Sequence, residues 1–247
     1  MLAKRIIIVL TFYKGILYRT KKFISDYRYT HNFIGNKSAD EIIILDVSRN
    51  FKYRKLFYSK IEELSENCFV PISVGGMING IDEIRLLQRL GADKIVINSL
   101  FNSKPRLIYE IISNFGSQFL IAGIDLKKVN NKYEVYYDGG KKRVMMSFEK
   151  YLKRICSFNP GEILLQSIDN DGSLMGYDYN LINKAKKICN KPLLISGGAG
   201  SWYHFEKALK FDNLSGACTS NIYHLSETSI NLLKKNLKKK KINVRES

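Results

Sequence analysis

The chain has 247 residues, 45% of them hydrophobic, enough for one sizeable core and suited to a single α/β barrel or two small domains. Its longest apolar runs are far shorter than a membrane span, and the short N-terminal run lacks a small-residue cleavage site, so neither a membrane span nor a secretory leader is expected and a cytoplasmic location is. The formal net charge of +17 comes from lysine spread along the whole chain, which reads as a compositional bias and not as a specific nucleic-acid surface, although it can attract acidic proteins or phosphorylated ligands.

The first apolar run, Arg5–Leu10, reads as a buried strand and ends at Thr11, where an α/β enzyme places its chemistry. Further strands are expected at Glu41–Asp46, Val70–Val74, Lys94–Ile97, Phe119–Ile124, Glu162–Ser167, Pro192–Ser196 and Gly216–Thr219. Amphipathic stretches alternate with them: Tyr53–Glu66, Ile81–Leu90, Pro105–Phe115, Ser147–Ser157, Tyr179–Cys189, Tyr203–Lys210 and Thr228–Lys239. Eight strands with helical crossovers and no linker-like stretch predict one (β/α)8 barrel domain over residues 1–247. The segment from Thr20 to Asp40 has only a weak helical period. After the fifth strand, alternation around Tyr133–Tyr137 and the pair Gly139-Gly140 predict a β-hairpin insertion. The basic stretch near the C-terminus carries Leu233 and Leu237 four apart, which puts most of its lysines on the solvated face of a last helix. Cys68, Cys156, Cys189 and Cys218 are scattered with no C-x-x-C pair, and there are three histidines, so neither a metal nor a cofactor is expected.

The two halves of the chain echo each other. Glu41–Asp46 resembles Glu162–Asp169, the stretch from Pro71 resembles the one from Pro192, and Ile97–Ser99 resembles Thr219–Asn221, at nearly constant separation. In each half a strand ends in a glycine pair, Gly75-Gly76 and Gly197-Gly198. The next strand ends in small polar residues, Asn98-Ser99 and Ser220-Asn221. Such neighbours make a phosphate cup of backbone N–H groups and hydroxyls, and two copies imply a ligand phosphorylated at both ends. A single Gly-Gly pair would read as a tight turn; the duplicated pair favours the cups. Laying one half on the other sets Asp125, which ends the fifth strand, opposite Thr11. Asp125 can exchange a proton, and a threonine hydroxyl cannot near neutral pH. Asp171 and Gly172, in "DNDGS" after the sixth strand, are candidates for the same substrate site, though the stretch also reads as a turn and cap.

The ordered set "MLAKRII", "DEIIILD", "VGGMI", "GADKIVINS", "FGSQ", "GEILLQSIDNDGS", "GYD", "ISGGAG" and "INVR" resembles the cyclase subunit of imidazole glycerol phosphate synthase over nearly the whole chain. The resemblance implies a (β/α)8 barrel that receives ammonia from a glutaminase subunit and acts on a doubly phosphorylated substrate. It implies Asp125 as one of two acid–base aspartates, Arg5, Glu41, Lys94 and Glu162 as a charged gate at the barrel bottom, and Asp93 at the glutaminase contact. Three departures stand out: Thr11 replaces the family's first aspartate, Arg19 falls where the family has a loop lysine, and Met77 falls where it has a third glycine. With the ammonia end kept and the synthase end altered, the favoured reading is a barrel that conducts ammonia toward a separate sugar amidotransferase, as in a surface-polysaccharide branch of the family. The alternatives are a working histidine-pathway cyclase and a non-catalytic scaffold for an acidic partner.

Overall fold

The computed structural model describes residues 3–28, 39–220 and 229–245. Eight parallel strands close on themselves in the order β1 (Arg5–Tyr13), β4 (Glu41–Asp46), β5 (Ile72–Gly75), β6 (Lys94–Ile97), β7 (Leu120–Val129), β10 (Glu162–Ser167), β11 (Leu193–Ser196) and β12 (Leu214–Thr219), with β12 paired back to β1. Helices α1 (Arg54–Glu66), α2 (Ile81–Arg89), α3 (Leu100–Ser103), α4 (Pro105–Phe115), α5 (Phe148–Ser157), α6 (Tyr179–Lys186), α7 (Trp202–Leu209) and α8 (Ser229–Lys239) follow the later strands. This is the (β/α)8 barrel that the alternating pattern predicts.

Side-chain alternation divides the core in two. Ile6, Ile8, Leu10 and Phe12 point outward from β1 into the large cluster beneath the helices. Ile7 and Val9 point inward, where they meet Ile43, Val96, Ile121, Leu164, Leu194 and Cys218 and fill the barrel axis. α4 shows how local sequence sets a helix: Pro105 starts it, Ile108 and Ile111 bury one face, and Gly116, at φ 83°, ends it. In the last helix most lysines are exposed, but Lys234 is buried and bonds Asp40 at 2.7 Å. Asp40 also accepts from the Ile6 amide at 2.7 Å, so this pair ties α8 to the first strand.

The expected hairpin is present as β8 (Lys132–Tyr137) and β9 (Lys142–Ser147), which extend β7 beyond the barrel rim. Over its described part up to Arg28, the weak helical period after β1 does not mark a helix. Instead β2 (Ile16–Lys21) and β3 (Ile24–Arg28) form a second hairpin that extends β1 in the same way. Its turns sit at Lys14-Gly15 and Lys22-Phe23, all with positive φ. Lys22-Phe23 carries no glycine or asparagine, so the usual hairpin signal is missing from the sequence.

Strand register makes the repeat explicit. Thr11 pairs with Leu45 and Tyr18, and Asp125 pairs with Gln166 and Tyr136. Leu45 in turn pairs with Gly75, and Gln166 with Ser196. The structural counterpart of Gly75 is therefore Ser196, and Gly76 matches Gly197. A Cβ on Gly76 would lie 2.1 Å from the Asp46 carbonyl oxygen, and one on Gly197 2.6 Å from that of Ser167. The two Gly-Gly pairs are thus offset by one position, as the alignment of the stretches from Pro71 and Pro192 has it. Met77, at φ 57°, occupies the left-handed position that Gly198 fills at φ 99°.

Candidate active site

The C-terminal ends of the strands surround a cavity of about 520 Å³, large enough for a phosphorylated metabolite. Asp125, Thr11, Asn98, Ser99, Asp171, Gly172, Gly76, Gly197, Gly198 and Ser220 all line it. Gly75 ends β5 just beneath Gly76 and is not itself part of the wall. Asn221 lies outside the described residues.

Asp125 sits at the wall with 6% exposure. Burial pushes its carboxyl up to about 7, opposed by a hydrogen bond from Asn98 and the charge of Arg49 and assisted by the charge of Asp171. A carboxyl balanced near neutrality can both give and take a proton. Across the mouth, Thr11 is as buried, and its hydroxyl donates to the Tyr18 carbonyl in β2. That hydroxyl is committed to backbone.

The two hairpin tips cover the mouth. Asp171 accepts from the Phe23 amide at 3.0 Å, and its own carbonyl accepts from Lys22 at 3.2 Å. Burial raises the Asp171 carboxyl above the usual range, against hydrogen bonds from Phe23 and Thr20. A Cβ on Gly172 would stand 2.6 Å from the Thr20 carbonyl oxygen, so the "DNDGS" turn is shaped to receive the β2–β3 hairpin. On the other side the Asp138 amide donates to the Ser99 hydroxyl at 3.1 Å, and Arg49 donates to the Gly139 carbonyl. A Cβ on Gly140 would be 3.4 Å from the Phe23 ring, which places the two tips against each other. Arg19 lies in β2 and pairs with Asp26 of β3. Arg49 and Lys104 also line the cavity; the sequence offers little to mark them beyond a lone arginine after a strand and a lysine before a proline.

At the opposite end, the strand-start charges form a closed ring. Arg5 bonds Glu41 at 2.7 Å and also bonds Glu162; Lys94 stands 3.1 Å from Glu162 and 3.6 Å from Glu41. Burial works against the Glu162 carboxylate, but its bonds with Arg5 and the charge of Lys94 hold it below the usual range. Asp93 lies exposed beside the ring and accepts from the Ile72 amide at 2.8 Å. Among the described residues, the apolar side chains of the inner cluster fill the interior between ring and mouth, and the Ser73 hydroxyl is buried without a hydrogen-bond partner.

Residues 8–229 match the family described as histidine biosynthesis protein. Relatives named imidazole glycerol phosphate synthase subunit HisF are 39% identical in Dictyoglomus thermophilum, over 99% of both chains, and 35% identical in Natranaerobius thermophilus, over 99% of this chain and 100% of that one. A third, from a Hydrogenobaculum species, is 36% identical over 99% of this chain and all of its own. Matches of this extent span the whole barrel, and the chain belongs to the HisF family of histidine biosynthesis proteins.

Proposed function

We propose that the chain is the barrel subunit of an imidazole glycerol phosphate synthase. A glutaminase subunit docks at the face bearing Asp93 and the ring of Arg5, Glu41, Lys94 and Glu162. Ammonia enters there, crosses the apolar interior and meets a doubly phosphorylated ribulosyl substrate in the mouth. An apolar interior favours neutral ammonia over ammonium, because a buried unpaired charge is costly. The ring's two acids and two bases pair with each other, so parting one pair opens a path. At the mouth, Asp125 exchanges protons with the reacting centre. The observation that carries this reading is that one buried carboxyl, poised near 7, projects into a cavity walled by both duplicated cups.

Thr11 supports a second reading. A neutral hydroxyl held by Tyr18 leaves Asp125 without an acid across the mouth, which fits a barrel that conducts ammonia onward to a sugar amidotransferase. One assay separates the two. The purified barrel receives the ribulosyl-formimino substrate and an ammonium salt at high pH, with Thr11→Asp alongside. Turnover by the native chain supports the synthase. Turnover that appears only in Thr11→Asp, by on the order of a hundredfold or more, supports the conduit. No turnover from either protein removes the synthase reading.

A further inference from the structure

The two cups share a fold but not a charge. Around the first-half cup, two cations are fixed to the strand ends that make it. Arg49 follows β4 and reaches across the ends of β5 and β6 to the Gly139 carbonyl, one residue beyond the amide that bonds the Ser99 hydroxyl. The guanidinium packs so closely that a Cβ on Gly139 would fall 1.5 Å from its Nη2. Lys104 follows α3, and its ammonium bonds the Asn79 carbonyl at 3.0 Å, in the loop that leaves Gly76. Among the described residues, neither cation is paired with a carboxylate. Arg49 holds left-handed backbone at φ 54° with no glycine to ease it, a local cost that the mouth retains.

Among the described residues, the second-half cup has no such charges. Its described wall consists of Ser196, Gly197, Gly198, Ala199, Thr219 and Ser220, all neutral. The charge-bearing wall residues of that half are Asp125, Asp138 and Asp171, all acids. The position equivalent to Arg49 is Asn170, whose amide is spent on the Gly176 carbonyl at 2.9 Å.

We propose that Arg49 and Lys104 make the first-half cup the dominant anion site, so that a ligand with one phosphate monoester docks there and the second cup adds affinity only for a second phosphate. This rests on the reading of the mouth as a phosphorylated-substrate site but not on which reaction follows. Arginine suits the task because its planar fork presents several donors and stays charged at all working pH values. The same charge opposes the burial that raises the Asp125 carboxyl, so a bound dianion that draws Arg49 toward itself also changes the proton affinity of Asp125.

The test is calorimetric titration of the full chain with ribose 5-phosphate at low and high salt. The proteins are the native chain, Arg49→Gln, Lys104→Gln, their double variant and Ser220→Ala. Arg49 and Lys104 are exposed, so their replacement leaves the core untouched; Gly139→Ala, which displaces the guanidinium without removing it, gives an independent route to the same loss. The expected result is a loss of about tenfold or more for the double variant, a flatter salt dependence, and less than a twofold change for Ser220→Ala, as screening of an exposed charge predicts. Equal losses in the double variant and Ser220→Ala, no loss in the double variant, or no binding by the native chain would overturn the proposal. Turnover is read separately: a chain that binds ribose 5-phosphate through Arg49 yet makes no product rejects the synthase reading and leaves the unequal cups standing.

Discussion

At the scale of single residues, the chemistry proposed for the mouth rests on one side chain. Asp125 was legible in the sequence because a carboxylate at a strand end, set against its repeat partner, stands out. Its proton affinity was not legible, because that depends on burial and on Asn98, Arg49 and Asp171, which come from other elements. A carboxyl raised by burial binds its proton more tightly folded than unfolded. Its cost to stability is therefore absent in acid, grows from about pH 4, and is complete above about pH 7. Asp125→Asn should then stabilise the fold at pH 8 by on the order of 1–3 kcal/mol and leave it unchanged at pH 4. Urea unfolding at the two pH values measures this. If the chain turns over, the same variant should lose at least a hundredfold in kcat/KM, and the native profile should show a limb near pH 7.

At the scale of elements, the sequence located Glu41–Asp46, Lys94–Ile97, Glu162–Ser167 and Pro105–Phe115 to the residue, because buried parallel strands and an amphipathic helix leave strong periodic marks. It found one hairpin and missed its twin. Gly139-Gly140 announces the turn of β8 and β9, whereas Lys22-Phe23 makes the corresponding turn with residues that seldom adopt positive φ. What holds the second hairpin in place is tertiary: the Asp171 carboxylate on Phe23 and the Gly172 backbone against Thr20. Gly172 sits at φ 70°, so a methyl group there is both strained and in collision. Gly172→Ala should free this hairpin, with a loss of about 1–3 kcal/mol in global stability at most. Limited proteolysis should cut near Lys21 and Lys22 at least several-fold faster than in the native chain. An unchanged cleavage rate would mean that the latch is not Gly172.

At the scale of the whole molecule, an apolar axis connects a charged ring at one end to a titratable mouth at the other. The ring residues were legible as charges that precede buried strands, but their mutual distances were not. Glu162 is held below its ordinary range by Arg5 and Lys94, so it contributes stability that is present above about pH 4.5 and is lost as pH falls through its folded value. Glu162→Gln should cost about 2–4 kcal/mol at pH 7, and the difference should shrink in acid below pH 4. In a complex with a glutaminase, the same variant should leave ammonium-driven activity intact while changing the yield of product per glutamine hydrolysed. Parallel loss of both activities would place Glu162 in the fold alone.

The roofing of the mouth is crossed. Ser99 belongs to the first half but carries the tip of the second half's hairpin, and Asp171 belongs to the second half but carries the tip of the first's. Among the described residues, each half's hairpin tip rests on its sibling's strand ends, like hands folded over one another. A half-barrel expressed alone would keep its cup and lose the shutter, and two copies of the same half could restore it only by trading hairpins. The internal repeat thus does more than echo a strand end: it makes the cover of each half's strand ends a property of the other half.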